Sequence, residues 1–168
     1  SRGLGDVYKR QNERGNIENI LNQIKDLSLV FDVLVVDDNS PDKTGEVVKE
    51  FISKKTYKFN LLIIERESKN GLGSAYIEGF KKAISLKYKY IFQLDCDGSH
   101  NPKKLIEMKN SLSSESDIVV GSRYVKGISV LHWPLSRLLL SIFANYYVKV
   151  ITGMKINDST GGFNGYSS

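Results

Sequence analysis

Helix-like and strand-like segments alternate along this chain of 168 residues. That alternation predicts a three-layer α/β domain with a mostly parallel sheet. Two further observations support the prediction. The candidate strands are short, nearly continuous apolar runs, as in strands covered on both faces. The intervening helices each carry a single apolar stripe, as helices packed on a sheet do. In such sheets ligands bind beyond the carboxyl ends of the strands.

The elements follow in order. Ser1 to Gln11, SRGLGDVYKRQ, is polar, holds two glycines and has no usable period; it reads as a non-native or disordered tail, with residues 12–168 as one domain. Asn12 to Leu29 reads as a helix, with Ile17, Ile20, Leu21, Ile24 and Leu27 at helical spacing. Phe31 to Val36 is a buried strand that ends at Asp37, Asp38, Asn39, Ser40 and Pro41, a dense turn signal. Thr44 to Lys55 is a helix that turns Val47, Val48, Phe51 and Ile52 inward. Asn60 to Glu65 is a strand, and Lys69 to Gly73 a glycine-rich turn. From Leu72 to Ile84 runs the cleanest helical stripe in the chain. Tyr90 to Asp95 is the third strand. Asn101 caps a helix that Pro102 opens and that runs to about Ser113. Asp117 to Gly121 is the fourth strand, ending at Ser122 and Arg123. Pro134 opens a last helix with Leu139, Ile142, Phe143, Tyr146, Tyr147, Val150 and Ile151 on one face, and Gly153 stops it. The final stretch, DSTGGFNGYSS, reads as cut within an element.

The composition, 40% hydrophobic and 26% charged, is ordinary for a globular domain. A net charge of +5 suits an anionic partner such as a nucleotide or a phospholipid surface. The basic residues are scattered, without an arginine-rich arm, which argues against nucleic acid. One cysteine, Cys96, leaves no intrachain disulfide and no cysteine-based zinc site. No stretch is long and apolar enough to span a bilayer, and no signal peptide is visible.

Three polar clusters fall at strand ends: Asp37 and Asp38, Asp95 to Ser99, and Ser122 and Arg123. If the third strand reaches Asp95, alternation puts Asp95 and Asp97 on one side and Cys96 on the other. Two carboxylates there make a hard oxygen site suited to Mg²⁺ or Mn²⁺ that also holds phosphates. An acidic, helix-capping turn is the plainer reading of each cluster. Their shared edge favours a site. Neither a dinucleotide glycine fingerprint nor a Gly-x-x-x-x-Gly-Lys-Ser/Thr loop is present, so phosphates would rest on metal and arginine.

The stretches VLVVDDNSPDKTGEV (33–47), KNGLGSAYIEGF (69–80), QLDCDGSHNPKKL (93–105), DIVVGSRYVKG (117–127), HWPLSR (132–137) and DSTGGF (158–163) occur in that order. Together they resemble the polyprenol-phosphate (dolichol-phosphate) mannosyltransferases, inverting enzymes with the nucleotide-sugar-binding GT-A, Rossmann-like fold. The resemblance covers everything from Asn12 onward. It implies transfer of mannose from GDP-mannose to a polyprenyl phosphate, dependent on Mg²⁺ or Mn²⁺. It implies that Glu13, Val36, Asp38, Asp95, Cys96, Asp97 and Arg123 line the donor, with Asp38 reading the base. It implies that Asp95 and Asp97, with Ser99 where relatives place a glutamine, hold the metal. Arg123 and Arg137 match arginines that hold donor or acceptor phosphate, so Asp97, Arg123 and Arg137 carry the catalysis. Arginine suits that work because its planar fork makes paired charge-assisted bonds.

The family begins with an apolar strand and an Ile-Pro-x-Tyr-Asn-Glu motif, of which only Asn12 and Glu13 are present. The expectation is a domain incomplete at both ends, its central strand missing and a channel in its core. The other readings are transfer of glucose from UDP-glucose, a nucleotidyltransferase, and a nucleotide- or lipid-binding module without turnover. A lipid acceptor implies a cytoplasmic protein peripheral to the membrane, with room for a membrane-recruiting subunit. His132, Trp133 and Pro134, with the amphipathic helix to Ile151, either lie at the membrane interface or pack on the core.

Overall fold

The computed structural model describes residues 4–55, 57–68, 71–114, 116–124, 134–154 and 156–168; the side chains of 4–14, 113, 114 and 137 are outside that description. The helix expected from Asn12 is α1, Leu4–Lys25. It begins earlier and ends sooner than its apolar spacing indicates. Ile17, Ile20, Leu21 and Ile24 are buried, so the predicted stripe is the packed face.

Strand β1 (Val33–Asp37) and strand β2 (Leu61–Glu65) pair in parallel, with Val33 opposite Leu61 and Asp37 opposite Glu65. The crossover between them is helix α2 (Thr44–Lys54), whose Val47, Val48 and Phe51 are buried. Asp42 starts it by accepting from the Thr44 N–H at 3.1 Å and the Thr44 hydroxyl at 2.7 Å, which satisfies donors a helix start leaves open. Helix α3 (Leu72–Ser85) packs against β1 and against strand β3 (Tyr90–Gln93). It comes close at Gly79, where an added Cβ would stand 3.5 Å from the Val36 side chain. Helix α4 (Lys104–Ser114) covers β3 and strand β4 (Ile118–Val120).

The tail supplies a strand that was not expected as one. β5 (Asn164–Ser167) lies between β3 and β4 and pairs antiparallel with both. Its sequence, NGYS, has poor strand propensity. What makes it a strand is the backbone: β3 and β4 offer two open edges, and a segment without bulk fits between them. Gly165 faces the Phe92 ring, where a Cβ would come within 2.7 Å of ring carbons.

The sheet is in two pieces. Among the described residues β1 and β3 are not bonded to each other, and each turns an unpaired edge toward a cavity of about 1150 Å³. The gap falls between the two pieces of the sheet. A dry apolar void of that volume would cost about 28 kcal/mol at ~24 cal/mol per Å³. That exceeds the whole stability of a typical domain, roughly 5–15 kcal/mol. The gap is instead an open groove with polar ends, lined by Asp32 and Tyr88 at the strand starts and by Asp38 and Asp95 at the strand ends.

Helix α5 (Leu135–Thr152) ends at Gly153, which adopts the left-handed conformation and returns its N–H to the Lys149 carbonyl. Its stripe does not pack on the core. Asn145 is buried instead, and Leu139, Phe143, Tyr146, Val150 and Ile151 are exposed.

Candidate active site

Val36, Asp38, Asp95, Cys96 and Asp97 line one cavity, at the carboxyl ends of β1 and β3. The cavity thus joins Asp38 of the first polar cluster to Asp95, Cys96 and Asp97 of the second. Each is set by its own local structure.

Asp37 and Asp38 divide the work after β1. Asp37 is buried and accepts from the Ser40 N–H at 3.2 Å, which shapes the turn. Asp38 turns outward into an ion pair with Arg66, Oδ1 to a guanidinium nitrogen at 2.8 Å. The Arg66 side chain is only 7% exposed. It also donates to the Ser74 hydroxyl at 2.6 Å and meets Glu78 at 3.4 Å. Its backbone N–H donates to the Asp37 carbonyl. Arg66 thus locks the end of β2 to the end of β1 and fixes the Asp38 carboxylate.

β3 ends at Gln93, and residues 96 and 97 form a turn. Strand alternation therefore does not set the direction of Asp95 and Asp97, contrary to expectation. Asp95 is clamped. Tyr76 of α3 donates its hydroxyl to Asp95 Oδ1 at 2.8 Å, and Gly162 comes so close that a Cβ there would stand 2.5 Å from Oδ2. Burial, and then the neighbouring Asp95 charge, push the Tyr76 hydroxyl far above its usual pKa, so it stays a donor. The Asp95 N–H donates to His100 Nδ1 at 3.0 Å. That bond needs an unprotonated Nδ1. Burial first, and Arg123 in addition, hold the His100 pKa below its usual value, against the pull of Asp95 and Asp97. The His100 ring stacks on Phe163 with centroids 5.1 Å apart. Asp97 accepts from the Ser99 N–H at 2.9 Å, so Ser99 braces Asp97 through its backbone.

Arg123 leaves β4 toward Asp158. Its Nε and one terminal nitrogen donate to the two Asp158 oxygens, each at 2.6 Å, and its own N–H adds a third bond at 3.1 Å. The same terminal nitrogen reaches the Thr160 hydroxyl at 2.8 Å. Hydrogen bonding to Asp158 raises the Arg123 pKa further. Burial of Asp158 would raise its pKa, but the bonds from Arg123 outweigh that and hold it below the usual carboxylate value. Arg123 lies within electrostatic reach of Asp95 and His100. Arg137 falls in the first turn of α5 and Glu13 in α1. Their side chains, like residues His132 and Trp133, lie outside the described residues.

The glycosyl transferase family 2 profile matches residues 11–168. The chain belongs to that family. Among similar proteins, the polyprenol monophosphomannose synthase of Mycolicibacterium smegmatis is 37% identical over 160 residues, covering 95% of this chain and 60% of that protein. The undecaprenyl-phosphate mannosyltransferase of Micrococcus luteus is 34% identical over 160 residues, 95% of this chain and 64% of that protein. The dolichol-phosphate mannosyltransferase of Pyrococcus furiosus is 39% identical over 137 residues, 80% of this chain and 37% of that protein. The chain therefore spans less than two thirds of the length of each of these relatives.

For a family 2 glycosyltransferase the oxygen donors suit a hard divalent ion. Magnesium typically takes one or two carboxylates and completes its shell with water and substrate phosphates. Asp95 and Asp97 supply that number. Among the described residues no three His, Cys, Asp or Glu side chains converge as a preformed metal cage.

Three residues that hold these side chains carry no role in the sequence reading: Arg66, Tyr76 and Asp158. Arg66 follows β2 as Asp38 follows β1, so the strand-end rule could have found it. Tyr76 was assigned to the packed stripe of α3, and nothing in its spacing signals the bond to Asp95. Asp158 stands in the quoted DSTGGF stretch but was given no role; its partner lies 35 residues away.

Proposed function

We propose that the chain is the catalytic part of an enzyme that transfers mannose from GDP-mannose to a polyprenyl phosphate with inversion. The reading rests on one observation above others. Asp38, Asp95 and Asp97 line a single cavity at the strand ends, and Arg123 lies within electrostatic reach of Asp95. The names of the relatives supply the substrate class.

Asp38, held by Arg66, presents an acceptor to a base N–H, as guanine recognition requires. Val36 and Cys96 line the same donor groove, and the resemblance gives Glu13 a contact with the nucleoside. Asp95 and Asp97, with Ser99 beside them, would hold Mg²⁺ or Mn²⁺ together with the donor diphosphate. A divalent ion bound there supplies charge neutralisation for the departing nucleoside diphosphate. Arg137 orients phosphate by paired charge-assisted bonds, and Arg123, whose fork is held on Asp158, adds its positive charge. The acceptor oxygen belongs to a phosphate that is already anionic at neutral pH, so these residues need only position it and need no strong base. Contact with the membrane that holds such a lipid, peripheral and on the cytoplasmic side, belongs to the same reading.

The test is GDP-mannose turnover with a short, detergent-soluble polyprenyl phosphate and Mn²⁺, run beside UDP-glucose. Release of GDP that requires both acceptor and metal, and that is lost in Asp97→Ala and Arg137→Ala, is the expected result. Release of UDP instead would move the sugar and base assignment. Release of neither nucleotide by folded protein would overturn the reading.

A further inference from the structure

Strand β3 stops at Gln93, and its ladder with β5 stops there too. The Asp95 N–H, two residues on, goes to a side chain instead. His100 Nδ1 accepts it at 3.0 Å, across five residues of chain. That bond closes the base of the turn that carries Asp95 and Asp97. The turn reverses at Gly98, which is left-handed with φ 74°, and inside it Asp97 accepts from the Ser99 N–H. His100 in turn is held by the core. Its ring lies on that of Phe163, with an interplanar angle of 18°, and Phe163 is buried. The residues after it open α4: Asn101 accepts from the Lys103 N–H at 3.0 Å, and Pro102 and Leu105 are buried. A carbonyl or a water would satisfy the Asp95 N–H equally well. A ring seated on the core adds a fixed direction.

Phe163 also reaches the other half of the site. Its carbonyl accepts from the Gly121 N–H at 2.7 Å. The two residues are in close contact, since a Cβ on Gly121 would stand 2.9 Å from the Phe163 ring. Two positions after Gly121 comes Arg123, with its fork on Asp158. Gly162, next to Phe163, lies against the Asp95 carboxylate. His100 therefore stands where the acidic turn meets the segment that carries the positive charge.

We propose that His100 is a positioning residue: through the Asp95 N–H and the Phe163 ring it sets where the Asp95–Asp97 turn stands relative to Arg123. The role rests on the reaction proposed above, in which Asp95 and Asp97 hold a divalent ion and the donor diphosphate. His100 touches neither. Tyr76 fixes the Asp95 carboxylate, and His100 fixes its backbone. Asp97 lies in the turn, two residues on, so its place follows from that of Asp95. The diphosphate must meet the ion on the turn and the Arg123 charge together. A displacement of the turn by about 1 Å weakens one of the two. Loss of a residue that orients a metal ligand typically lowers metal affinity by about 10- to 100-fold.

Two substitutions separate the bond from the stack. His100→Phe keeps a ring on Phe163 and removes the acceptor. His100→Asn removes the ring and keeps an acceptor, its Oδ1, at the same number of bonds from the backbone. His100→Leu is a second acceptor-free variant, for use if the Phe variant does not fold. The experiment is calorimetric titration of the chain and its variants with GDP, and separately UDP, in the presence of Mn²⁺ and well below each melt. His100→Phe should weaken Mn²⁺-dependent binding by about tenfold or more. His100→Asn should recover most of that loss, even where its melt is the lower of the two. In ¹⁵N-labelled wild type, a scalar coupling across the hydrogen bond should link the Asp95 backbone nitrogen to His100 Nδ1. A role in folding alone would lower the melts and leave the affinities equal. That result, an Asn variant as weak as the Phe variant, or the absence of the coupling overturns the positioning role and leaves the reaction standing. Binding of neither diphosphate by folded wild type sinks the reaction and the role together.

Discussion

Replacement of Asp158 by asparagine tests the reading of the Arg123 end of the site. Asp158 is fully buried, and its two oxygens receive three bonds from Arg123. Asparagine keeps the shape but turns an NH₂ toward a donor and removes the charge. Breaking a buried pair by removing one partner costs about 3–5 kcal/mol. The Arg123 side chain is one-fifth exposed, and water there recovers part of the loss, so about 2–3 kcal/mol is the working figure. With a urea m-value of about 2 kcal/mol per M, the unfolding midpoint should fall by about 1 M at neutral pH. The pH dependence carries a sign. The folded-state pKa of Asp158 lies below its usual value of 3.8. Its contribution is therefore fully present above that value and is lost as pH falls through the folded pKa. The gap between wild type and Asp158→Asn should narrow on acidification below about pH 3.8, because asparagine does not titrate. A midpoint within about 0.2 M of wild type at neutral pH, or a gap that stays constant in acid, would refute the reasoning. A cycle with Arg123→Met should show the double variant to be less destabilised than the sum of the single ones.

Three further outcomes are expected. Gly165→Ala should lower stability by about 1–3 kcal/mol in a thermal melt, because its Cβ would press on the Phe92 ring at 2.7 Å; an unchanged melt would mean that β5 does not sit between β3 and β4 as described. Tyr76→Phe, which removes only the hydroxyl on Asp95, should cost about 1.5–3 kcal/mol in urea unfolding, as for a bond to a charged group; a neutral effect would show that Asp95 is not clamped. His100 has a folded pKa below its usual 6.5, so the unfolded chain binds more protons just below that pH and stability should decline as pH falls through the window. His100→Gln should remove that slope in a pH series of unfolding curves, and a slope that persists would place its origin elsewhere.

The chain order of helices and strands was readable in the sequence because each element that packs must show its own period. The runs around Val35, Ile63 and Phe92 are apolar because both sheet faces are covered, and α2 and α3 carry one stripe because one side of each is wet. Asp38 and the Asp95–Asp97 pair were legible as clusters at strand ends, but the cavity that joins them depends on how β1 and β3 sit, and among the described residues those strands share no ladder bond. Tertiary structure decided the rest. Asp158 meets Arg123, and β5 enters between β3 and β4, through contacts between distant segments that no local period encodes. The α5 stripe shows the limit most plainly. Its spacing announced an apolar face, but which way that face turns depends on the partners of Ser141 and Asn145. The buried polar groups had to be paired, so the helix sits with its polar side on the protein and its leucines outward.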